Sequence, residues 1–401
     1  MKRYISSIVL ILILIGSIGT YYGTQAASVA NLPRYEFKTI EGNEKELKPV
    51  ILDGVYKKDG LYEPLTFEGN QLTYKRENSY VENLNGYYVE IEKLLKKYKP
   101  FMRGKHDREA LYEDGDFLAY ASVTNHYRNE KYSATFEVSL LEKKNKEEFS
   151  FELDVPEQEK ISYSRILDVQ LIDSKLQVVA NNQIDSQDQI EEIHVYVIDL
   201  ANNKVINDEL ILSESTNDIS LEVEYPSNTK TIGESHVFLF SVAKGHYSES
   251  GEFVPKETVL NKYDFETGKV ETITVPKKFV NVDNDIFYDT NNIYFYEVRD
   301  HRVHMTTFDL SSQTILGEKS FDLVNDNNNF QFLIKNERVY ILAENDYHHE
   351  TKANNSVSIL IADLETGNTL YKGETKVKSK NEKSVENDGL SIHDLQVNEI
   401  N

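Results

Sequence analysis

Histidine residues recur at similar places in this sequence, each soon after a predicted β-strand. The four positions are His126, His246, His301 and His348. Imidazole binds transition metals and transfers protons near neutral pH, so a shared location would matter chemically. If the four side chains face one side of a repeat fold, they form a polar ring that binds a ligand or a metal ion. If each bonds within its own loop, they are structural. The unequal loops favour the structural interpretation, and the ring is kept as a binding hypothesis.

Other groups of possible metal ligands are the pairs His348/His349 and His301/His304 and the polar runs 283–289 and 325–329. Side chains two residues apart lie on the same face of a β-strand. The histidines of the first pair are adjacent and those of the second are three residues apart, so neither pair shares a face of a strand. The polar runs offer the oxygen ligands that calcium prefers, but they lack the spacing of an EF-hand loop. Asn and Asp are also common in hairpin turns. We therefore expect ordinary turns, with no metal and no cofactor.

Signatures of enzymes are missing from the sequence. It contains no Gly-x-Ser-x-Gly, no phosphate-binding glycine loop, no His-Glu-x-x-His and no dinucleotide fingerprint. Its 67 Asp and Glu residues are too many to single out the two carboxylates of a glycosidase. Because Cys is absent, cysteine nucleophiles, thiolate zinc sites and iron–sulfur clusters are excluded. No catalytic residue is nominated.

A repeated motif provides the frame for these residues. A β-rich run ends in Asp-Leu or Asp-Phe, a turn of Asn, Ser, Thr or Gly follows, and a second β run begins. The motif occupies 195–205, 260–270, 305–315 and 360–370. Its aspartates are Asp199, Asp264, Asp309 and Asp363, and we align Ser139 with them in a fifth, degenerate copy. An Asp at this place can accept hydrogen bonds from backbone N–H groups of the turn, so we predict a structural role.

Each copy follows further short strands, which predicts four antiparallel strands per repeat. Second strands are predicted at 176–180, 237–241, 293–297 and 339–343, and innermost strands at 166–171, 286–288 and 330–334. Four-stranded repeats of about 40 to 60 residues are typical of β-propeller blades. The blade-end motif resembles the Asp-x-x-(Thr/Ser)-Gly turn of quinoprotein-like and WD40-like propellers, over residues 105–378 and at superfamily level. The chain has no Trp, so it lacks the tryptophan motifs of both groups, and a quinone cofactor is not expected.

The two ends of the chain are predicted to complete the propeller. A hairpin is predicted around Gly69, a short helix before Pro100, and a last strand at 390–397 that closes the ring. Residues 34–104 together with 379–401 then supply one or two blades, for a total of six or seven. Two stacked β-sandwiches or an irregular β fold are the rival architectures, because the repeats are unequal in length.

The composition of the N-terminus predicts an export signal. Met1-Lys2-Arg3 precedes an uncharged apolar run of about 16 residues, which is short for a membrane span. We predict a cleaved signal peptide or a retained membrane anchor over residues 1–30, and a propeller domain over 34–401. The chain would then lie outside the cytoplasm, secreted or anchored, with membrane contact only through this segment. The net charge of −23 disfavours nucleic acid, anionic lipid and polyphosphate polymers as partners.

Three functions remain open from the sequence. The first is an exported or membrane-tethered propeller that binds a protein or another cell-envelope partner and catalyses nothing. The second is a hydrolase or lyase that acts on a polysaccharide at the channel mouth. The third is a metal-binding or sensory module that uses the histidines. The absence of catalytic motifs favours the first.

Overall fold

The computed structural model describes residues 16, 20, 32–58, 61–77, 89–128, 131–186, 190–215, 220–224, 232–248, 253–276, 279, 286–289, 291–324, 329–344, 356–378 and 389–398. Within these residues the strands form six antiparallel sheets. They group into two compact bodies, one of residues 1–89, 298–304 and 319–401, and the other of residues 90–297 and 305–318.

The first body contains the sheets that we name blade I and blade VI. Blade I consists of β2 (Val50–Lys58), β3 (Leu61–Glu68), β4 (Gln71–Tyr74) and β25 (Gly389–Val397). Blade VI consists of β1 (Tyr35–Gly42), β21 (Asn329–Lys335), β22 (Arg338–Glu344), β23 (Val357–Asp363) and β24 (Thr369–Val377). The strand orders are β25-β2-β3-β4 and β1-β24-β23-β22-β21. Each sheet therefore combines strands from both ends of the chain.

The second body contains blades II, III and IV and most of blade V. Blade II is β5 (Leu111–Glu113), β6 (Phe117–Arg128), β7 (Lys131–Glu142) and β8 (Glu147–Asp154); blade III is β9 (Ile161–Ile172), β10 (Lys175–Ile184), β11 (Ile190–Asp199) and β12 (Lys204–Ser215). Blade IV is β13 (Ser220–Glu224), β14 (Val237–Tyr247), β15 (Phe253–Asp264) and β16 (Lys269–Ile273); blade V is β17 (Ile286–Tyr288), β18 (Asn292–Arg299), β19 (Arg302–Asp309) and β20 (Thr314–Asp322).

Successive four-stranded antiparallel meanders define a β-propeller, and the all-β prediction is confirmed. The prediction of six or seven blades is confirmed with six sheets among the described residues. The predicted helix is also present, as α1 (Val89–Lys97), whose Ile91 and Leu94 are buried. Short 3-10 helices span Glu44–Leu47, Lys75–Glu77 and Gln158–Lys160.

Aromatic and β-branched side chains fill the core of each body, as the strand-rich composition predicts. In the first body, Phe67, Tyr74 and Tyr371 are fully buried in one cluster that blades I and VI share. In the second body, Phe136 of β7 packs on Tyr196 of β11, with ring centroids 5.1 Å apart. Face-to-face packing of neighbouring sheets thus buries the apolar side of each strand.

The repeated aspartate has the structural role that the sequence predicts. The Asp264 carboxylate accepts hydrogen bonds from the N–H groups of Glu266 (3.1 Å) and Thr267 (2.7 Å). The Gly268 N–H then bonds the Asp264 carbonyl at 2.9 Å, with Gly268 at φ +65°. Equivalent bonds from the turn N–H groups reach the carboxylates of Asp199, Asp309 and Asp363.

The alignment of Ser139 with these aspartates is wrong. Strand β7 continues for three residues past Ser139 and ends at Glu142, which pairs with Phe117 at the start of β6. The Lys146 N–H bonds the Glu142 carbonyl at 2.8 Å, and Lys146 has φ +58°. Glu142 and Lys146 therefore occupy the places of Asp264 and Gly268. The apolar pattern was continuous across this strand end, so the pattern did not reveal where the strand stops.

Both ends of the chain contribute strands to the sheets of the first body. The C-terminal β25 pairs with β2 and becomes the innermost strand of blade I, while β1 pairs with β24 as a fifth strand of blade VI. The predicted closing strand at 390–397 is therefore confirmed. The carboxylate of Glu344 accepts the Ile392 N–H at 2.8 Å and the Asn329 side-chain amide at 2.8 Å, which fixes β25 beside blade VI.

Gly54 provides a direct test of this closure. It lies in β2 opposite a bulge in β25, and a Cβ there would be 2.4 Å from the Ser391 carbonyl oxygen and 2.6 Å from Ile392 Cδ1. Because a backbone atom must move, we expect Gly54→Ala to lower the free energy of unfolding by about 1–3 kcal/mol. Urea denaturation measures the change.

The matched control for this substitution is Gly317→Ala. Gly317 is also a strand glycine, in β20, and nothing lies within 4 Å of a Cβ added there. We expect this control to keep the wild-type free energy of unfolding. Equal values for both variants would contradict a tight contact between β2 and β25.

Candidate functional site

Of the four predicted histidines, His301 lies in a connection from a second to a third strand, and His126 and His246 lie near the ends of second strands. His126 is in β6 opposite Ser133 and is half-buried, whereas His246 is in β14 opposite Val254 and is exposed. His301 is in the two-residue turn between β18 and β19 and has φ +61°. His348 lies outside the described residues.

Within the described part of the chain, His126, His246 and His301 belong to no group of side chains that could hold a metal ion. Among the residues that the structure describes, no group of three or more His, Asp or Glu side chains could hold a metal ion. His126 and His246 belong to the second body, and His301 belongs to the first. A common ring of histidines therefore stays a prediction.

The polar runs that could hold calcium are only partly described. Residues 283–285, 325–328 and His349 lie outside the described part of the chain. Asp289, at the end of the first run, accepts the N–H groups of Asn291 and Asn292 at 2.9 Å each and the Tyr294 hydroxyl at 2.6 Å. Its carboxylate is therefore engaged as in an ordinary hairpin turn.

A serine and a histidine meet on neighbouring outer strands of blade V. The Ser320 Oγ is 2.8 Å from Nδ1 of His304. Nε2 of His304 is buried and has no hydrogen-bond partner in the described structure. A catalytic dyad needs the second imidazole nitrogen to be oriented by another group, usually a carboxylate. The His304 ring lacks that group, so this pair fits a cross-strand contact better than a nucleophile with its base.

The hairpin of β6 and β7 projects beyond the rest of blade II. Strand β5 pairs with β6 only up to Tyr120, and β8 pairs with β7 only from Thr135 onward. Residues 125–128 and 131–133 therefore form a ribbon of two strands, which we call the blade II ribbon. Two-stranded ribbons are marginally stable in water, so this one requires local support.

Two contacts support the blade II ribbon. The Asn125 side chain bonds the backbone of Ser164 in β9 twice, through its amide to the carbonyl and its oxygen to the N–H, at 2.8 Å each. Tyr127 pairs directly with Tyr132, and their ring centroids are 4.7 Å apart. Tyr127 is nevertheless 61% exposed. The ribbon is thus held in place while it presents an aromatic side chain to solvent.

Blade IV also has a long hairpin of its second and third strands. Within the described residues β13 pairs with β14 up to Gly245 and β16 pairs with β15 from Leu260 onward, while residues 216–219, directly before β13, lie outside them. Beyond Gly245, β14 and β15 continue as two strands in which His246 faces Val254. Both side chains are exposed. Blades II and IV of the second body therefore both have a long hairpin between their second and third strands.

Carboxylates collect beside the inner strands of the second body, at Asp107 and Glu109 before β5 and at Asp168 in β9. Burial, a hydrogen bond with Glu109 and the charge of Glu109 raise the pKa of Asp107 to about 6. Burial raises the pKa of Asp168 to about 6, and the charge of Glu109 adds to the rise, although bonds from Gln170 and the Val169 N–H oppose it. Proton transfer near pH 6 is therefore possible at this cluster.

Asp168 also has a structural role. Its carboxylate accepts the Gln170 side-chain amide at 3.1 Å, and the Gln170 oxygen accepts the Ser235 N–H at 2.9 Å. The chain of bonds joins β9 to the segment before β14. The polar residues that interrupt the apolar run 166–171 were a visible sequence signal of this cluster, but Glu109 comes near Asp168 only through the fold.

His194 is another titratable group that the sequence did not single out. Its Nδ1 is 2.6 Å from Asp208 Oδ1, and its Nε2 is 3.1 Å from Glu192 Oε2. The ring stacks on Tyr196 with centroids 5.4 Å apart. Because the imidazole separates the two carboxylates, they do not converge with one nitrogen on a point where a metal ion would sit. The group is an ion-pair clamp between β11 and β12.

Comparison with known proteins supports no family assignment. No protein-family model matches the sequence, and no curated protein matches it. Among solved structures, the β-propeller domain of the Trilobed protease from Pyrococcus furiosus shares 14% identity, over 66% of this chain and 68% of that chain, with a TM-score of 0.34. An uncharacterized protein from Listeria monocytogenes EGD-e shares 11% identity, over 67% and 65%, with a TM-score of 0.34.

A putative 6-phosphogluconolactonase from Bacteroides fragilis NCTC 9343 covers more of the chain. It shares 11% identity over 88% of this chain and 100% of that chain, with a TM-score of 0.31. At TM-scores this low, none of these similarities carries an argument about function. The β-propeller fold is assigned here from the strand order of the chain itself.

The His194 clamp predicts how stability depends on pH. Burial lowers the pKa of His194, but its hydrogen bonds with Asp208 and Glu192 outweigh burial and raise the pKa above the ordinary value. A raised folded-state pKa means that charged His194 stabilises the fold below about pH 6.5, and that this contribution is lost as the pH rises through the folded pKa. We expect the difference in free energy of unfolding between wild type and His194→Gln to shrink as the pH increases.

Urea denaturation at a series of pH values measures this difference. Asp208→Asn is the companion variant, because it removes a carboxylate that raises the His194 pKa. Like His194→Gln, it should make the free energy of unfolding depend less on pH than it does in the wild type. Parallel profiles for wild type and His194→Gln would contradict the clamp.

Proposed function

We propose that this propeller is a non-enzymatic binding module of the cell envelope that contacts its partner through second-to-third strand hairpins. The observation that carries the proposal is the blade II ribbon. It extends past the other strands of its sheet, is held by Asn125, and exposes Tyr127. Exposed, rigid aromatic side chains are enriched at contact sites because they bind with little loss of conformational freedom.

The described titratable groups support binding more than catalysis. His194 is engaged by two carboxylates, and Asp168 accepts bonds from Gln170 and the Val169 N–H. His304 lacks a group to orient it toward Ser320 as a base. His194 and Asp168 thus have structural roles, whereas Tyr127 packs on Tyr132 and stays exposed to solvent.

The location at the envelope rests on the N-terminal residues. Met1-Lys2-Arg3 and the apolar run after it have the composition of an export signal or anchor. Residues 1–30 lie almost entirely outside the described residues, and none of the described helices is long and apolar enough to cross a membrane. We propose that the chain is secreted or tethered by this segment, with a protein or another envelope component as its partner.

Retention of envelope components tests the proposal. The full chain in mild detergent is immobilised, incubated with a cell-envelope extract, and compared with a variant that combines Tyr127→Ala and His246→Ala. Because the proposal places the contact at the blade II ribbon and the β14–β15 hairpin, we expect the variant to retain at least fivefold less of a partner that the wild type retains, as measured by mass spectrometry.

The matched control is Tyr62→Ala, which removes a tyrosine of similar exposure from β3 in the first body. This control should retain the partner as the wild type does. A partner that all three proteins retain equally would show that the blade II ribbon and the β14–β15 hairpin are not the contact surface.

A second candidate function is a hydrolase or lyase that acts on a polysaccharide. The observation in its favour is the inner-strand cluster, because Asp107 and Asp168 both have pKa values raised to about 6. A carboxylic acid with a raised pKa is the usual proton donor in glycoside hydrolysis, and a second, ionised carboxylate completes the pair.

Release of new sugar ends from envelope polysaccharides measures this activity. If the cluster is catalytic, Asp168→Asn should reduce release at least a hundredfold, because the acid or base is lost. The rate of the wild type should then change with pH around pH 6. An inactive wild-type chain, or an Asp168→Asn variant with full activity, would remove this candidate.

A further inference from the structure

The closing strand β25 meets β2 at a pair of like charges. Asp394 of β25 lies directly opposite Asp53 of β2. Like charges directly opposite each other in an antiparallel pair destabilise it. Among the described residues, no other pair across these two strands places two charged side chains opposite each other. The aspartates are therefore the unfavourable part of a strand pairing that is otherwise largely apolar.

A bulge in β25 lies beside the two aspartates. The register shifts between Asp53 and Gly54, so the exposed His393 is the extra residue of β25 and faces no residue of β2 directly. A bulge locally interrupts the ladder of hydrogen bonds between two strands. The backbone bonds that would resist the repulsion between the carboxylates are therefore interrupted at the same place.

The hydrogen bonds of the two carboxylates come from neutral groups. The Gln396 side-chain amide donates to Asp394 and lies 3.5 Å from Oδ2 of Asp53, and the Thr66 hydroxyl donates to Oδ1 of Asp53 at 2.5 Å. Neither aspartate forms an ion pair with Lys or Arg in the part of the chain that the structure describes. Both are half-buried, so solvent screens their repulsion less than it would at the surface. Uptake of one proton would remove this repulsion.

Other neighbours act on the proton affinity of Asp53 in opposite directions. Burial raises the pKa of Asp53 above its ordinary value, and the charges of Asp394 and of Glu68 at the end of β3 add to the rise. The bond from Thr66 and the charge of His393 oppose it. Because the folded-state pKa is raised, the contribution of Asp53 to stability falls as the pH rises from about 4, the ordinary value, through the folded pKa.

We propose that Asp53 and Asp394 form a proton-controlled latch, which holds the middle of β25 loosely when both carboxylates are charged and firmly once one of them is protonated. The ends of β25 are held by other bonds, because Glu344 of blade VI accepts the Ile392 N–H at 2.8 Å and the Asn398 N–H reaches the Pro49 carbonyl at 2.7 Å. Opening is therefore local to residues 393–396, and it uncovers the edge of β2 that β25 covers.

Amide hydrogen exchange of the full chain in mild detergent, read by mass spectrometry on overlapping peptides, tests the latch. Protection is expressed relative to the unfolded chain at the same pH, which removes the intrinsic effect of pH on exchange. We expect the protection of residues 393–396 in the wild type to rise roughly two- to fivefold between about pH 7.5 and about pH 4.5, because the repulsion is lost. Residues 175–184 of β10, in the second body, are the internal reference and should not share this rise.

The variants Asp53→Asn and Asp394→Asn each remove one charge and keep the shape of the side chain. At about pH 7.5 each should protect residues 393–396 roughly two- to fivefold more than the wild type does, and neither should show the further rise in acid. The double variant should gain no more than either single variant, because one substitution already ends the repulsion. The matched control is Glu41→Gln in β1, an exposed carboxylate that lies opposite Lys372 instead of an acid. It should keep the pH dependence of the wild type.

Four results would overturn the latch. The first is wild-type protection at residues 393–396 that does not change with pH, and the second is a change that β10 shares equally. The third is a pair of asparagine variants whose gains add in the double variant. The fourth is lower protection in either asparagine variant at about pH 7.5, which would show that the charged carboxylates hold β25 as acceptors for Gln396 and Thr66.

Discussion

The fold depends on the hydrogen bonds that join the two ends of the chain. A four-stranded blade has two free edges and must pack against its neighbours to bury its faces, so an open row of blades would leave its terminal sheets exposed. Here β25 supplies the innermost strand of blade I, and β1 extends blade VI. The first and last sheets of the chain are therefore each built from both termini, within one body.

The residues at this closure show how tightly it is specified. Glu344 is buried and its pKa is raised, mainly by burial, yet its carboxylate is retained because it accepts the Ile392 N–H. Gly54 has no side chain because the bulge of β25 occupies that space. A buried acceptor and a missing side chain together select one register for the closing strand.

The sequence predicted features that local chemistry determines. Strand ends at Asp199, Asp264 and Asp363 were predictable because the carboxylate and the turn lie within four residues of each other. The Ser139 alignment failed because an apolar pattern continued past it to Glu142. The positions of His126, His246 and His301 beside hairpins were also predictable, since each follows a strong strand pattern.

Features made by distant residues were not predictable in the same way. The charge of Glu109 acts on Asp168 only because the fold brings residues from two blades into the same region, and the bond between His194 and Asp208 depends on a register shift between β11 and β12. The pairing of β1 with β24 joins segments from opposite ends of the chain. The blade II ribbon lies between these cases. The pairing of Tyr127 with Tyr132 follows from a two-residue turn, but its projection depends on the lengths of β5 and β8.

The contribution of β25 to blade I also sets an order for folding. Gln396 and Asp53, which meet across this pairing, are 343 residues apart. Blade I therefore remains without its innermost strand until the ribosome has released the last residues. Contacts this distant in sequence form late and slowly. If the chain is exported in an unfolded state from its N-terminus, blade I emerges first and waits longest for its last strand. A product truncated before residue 389 would never close.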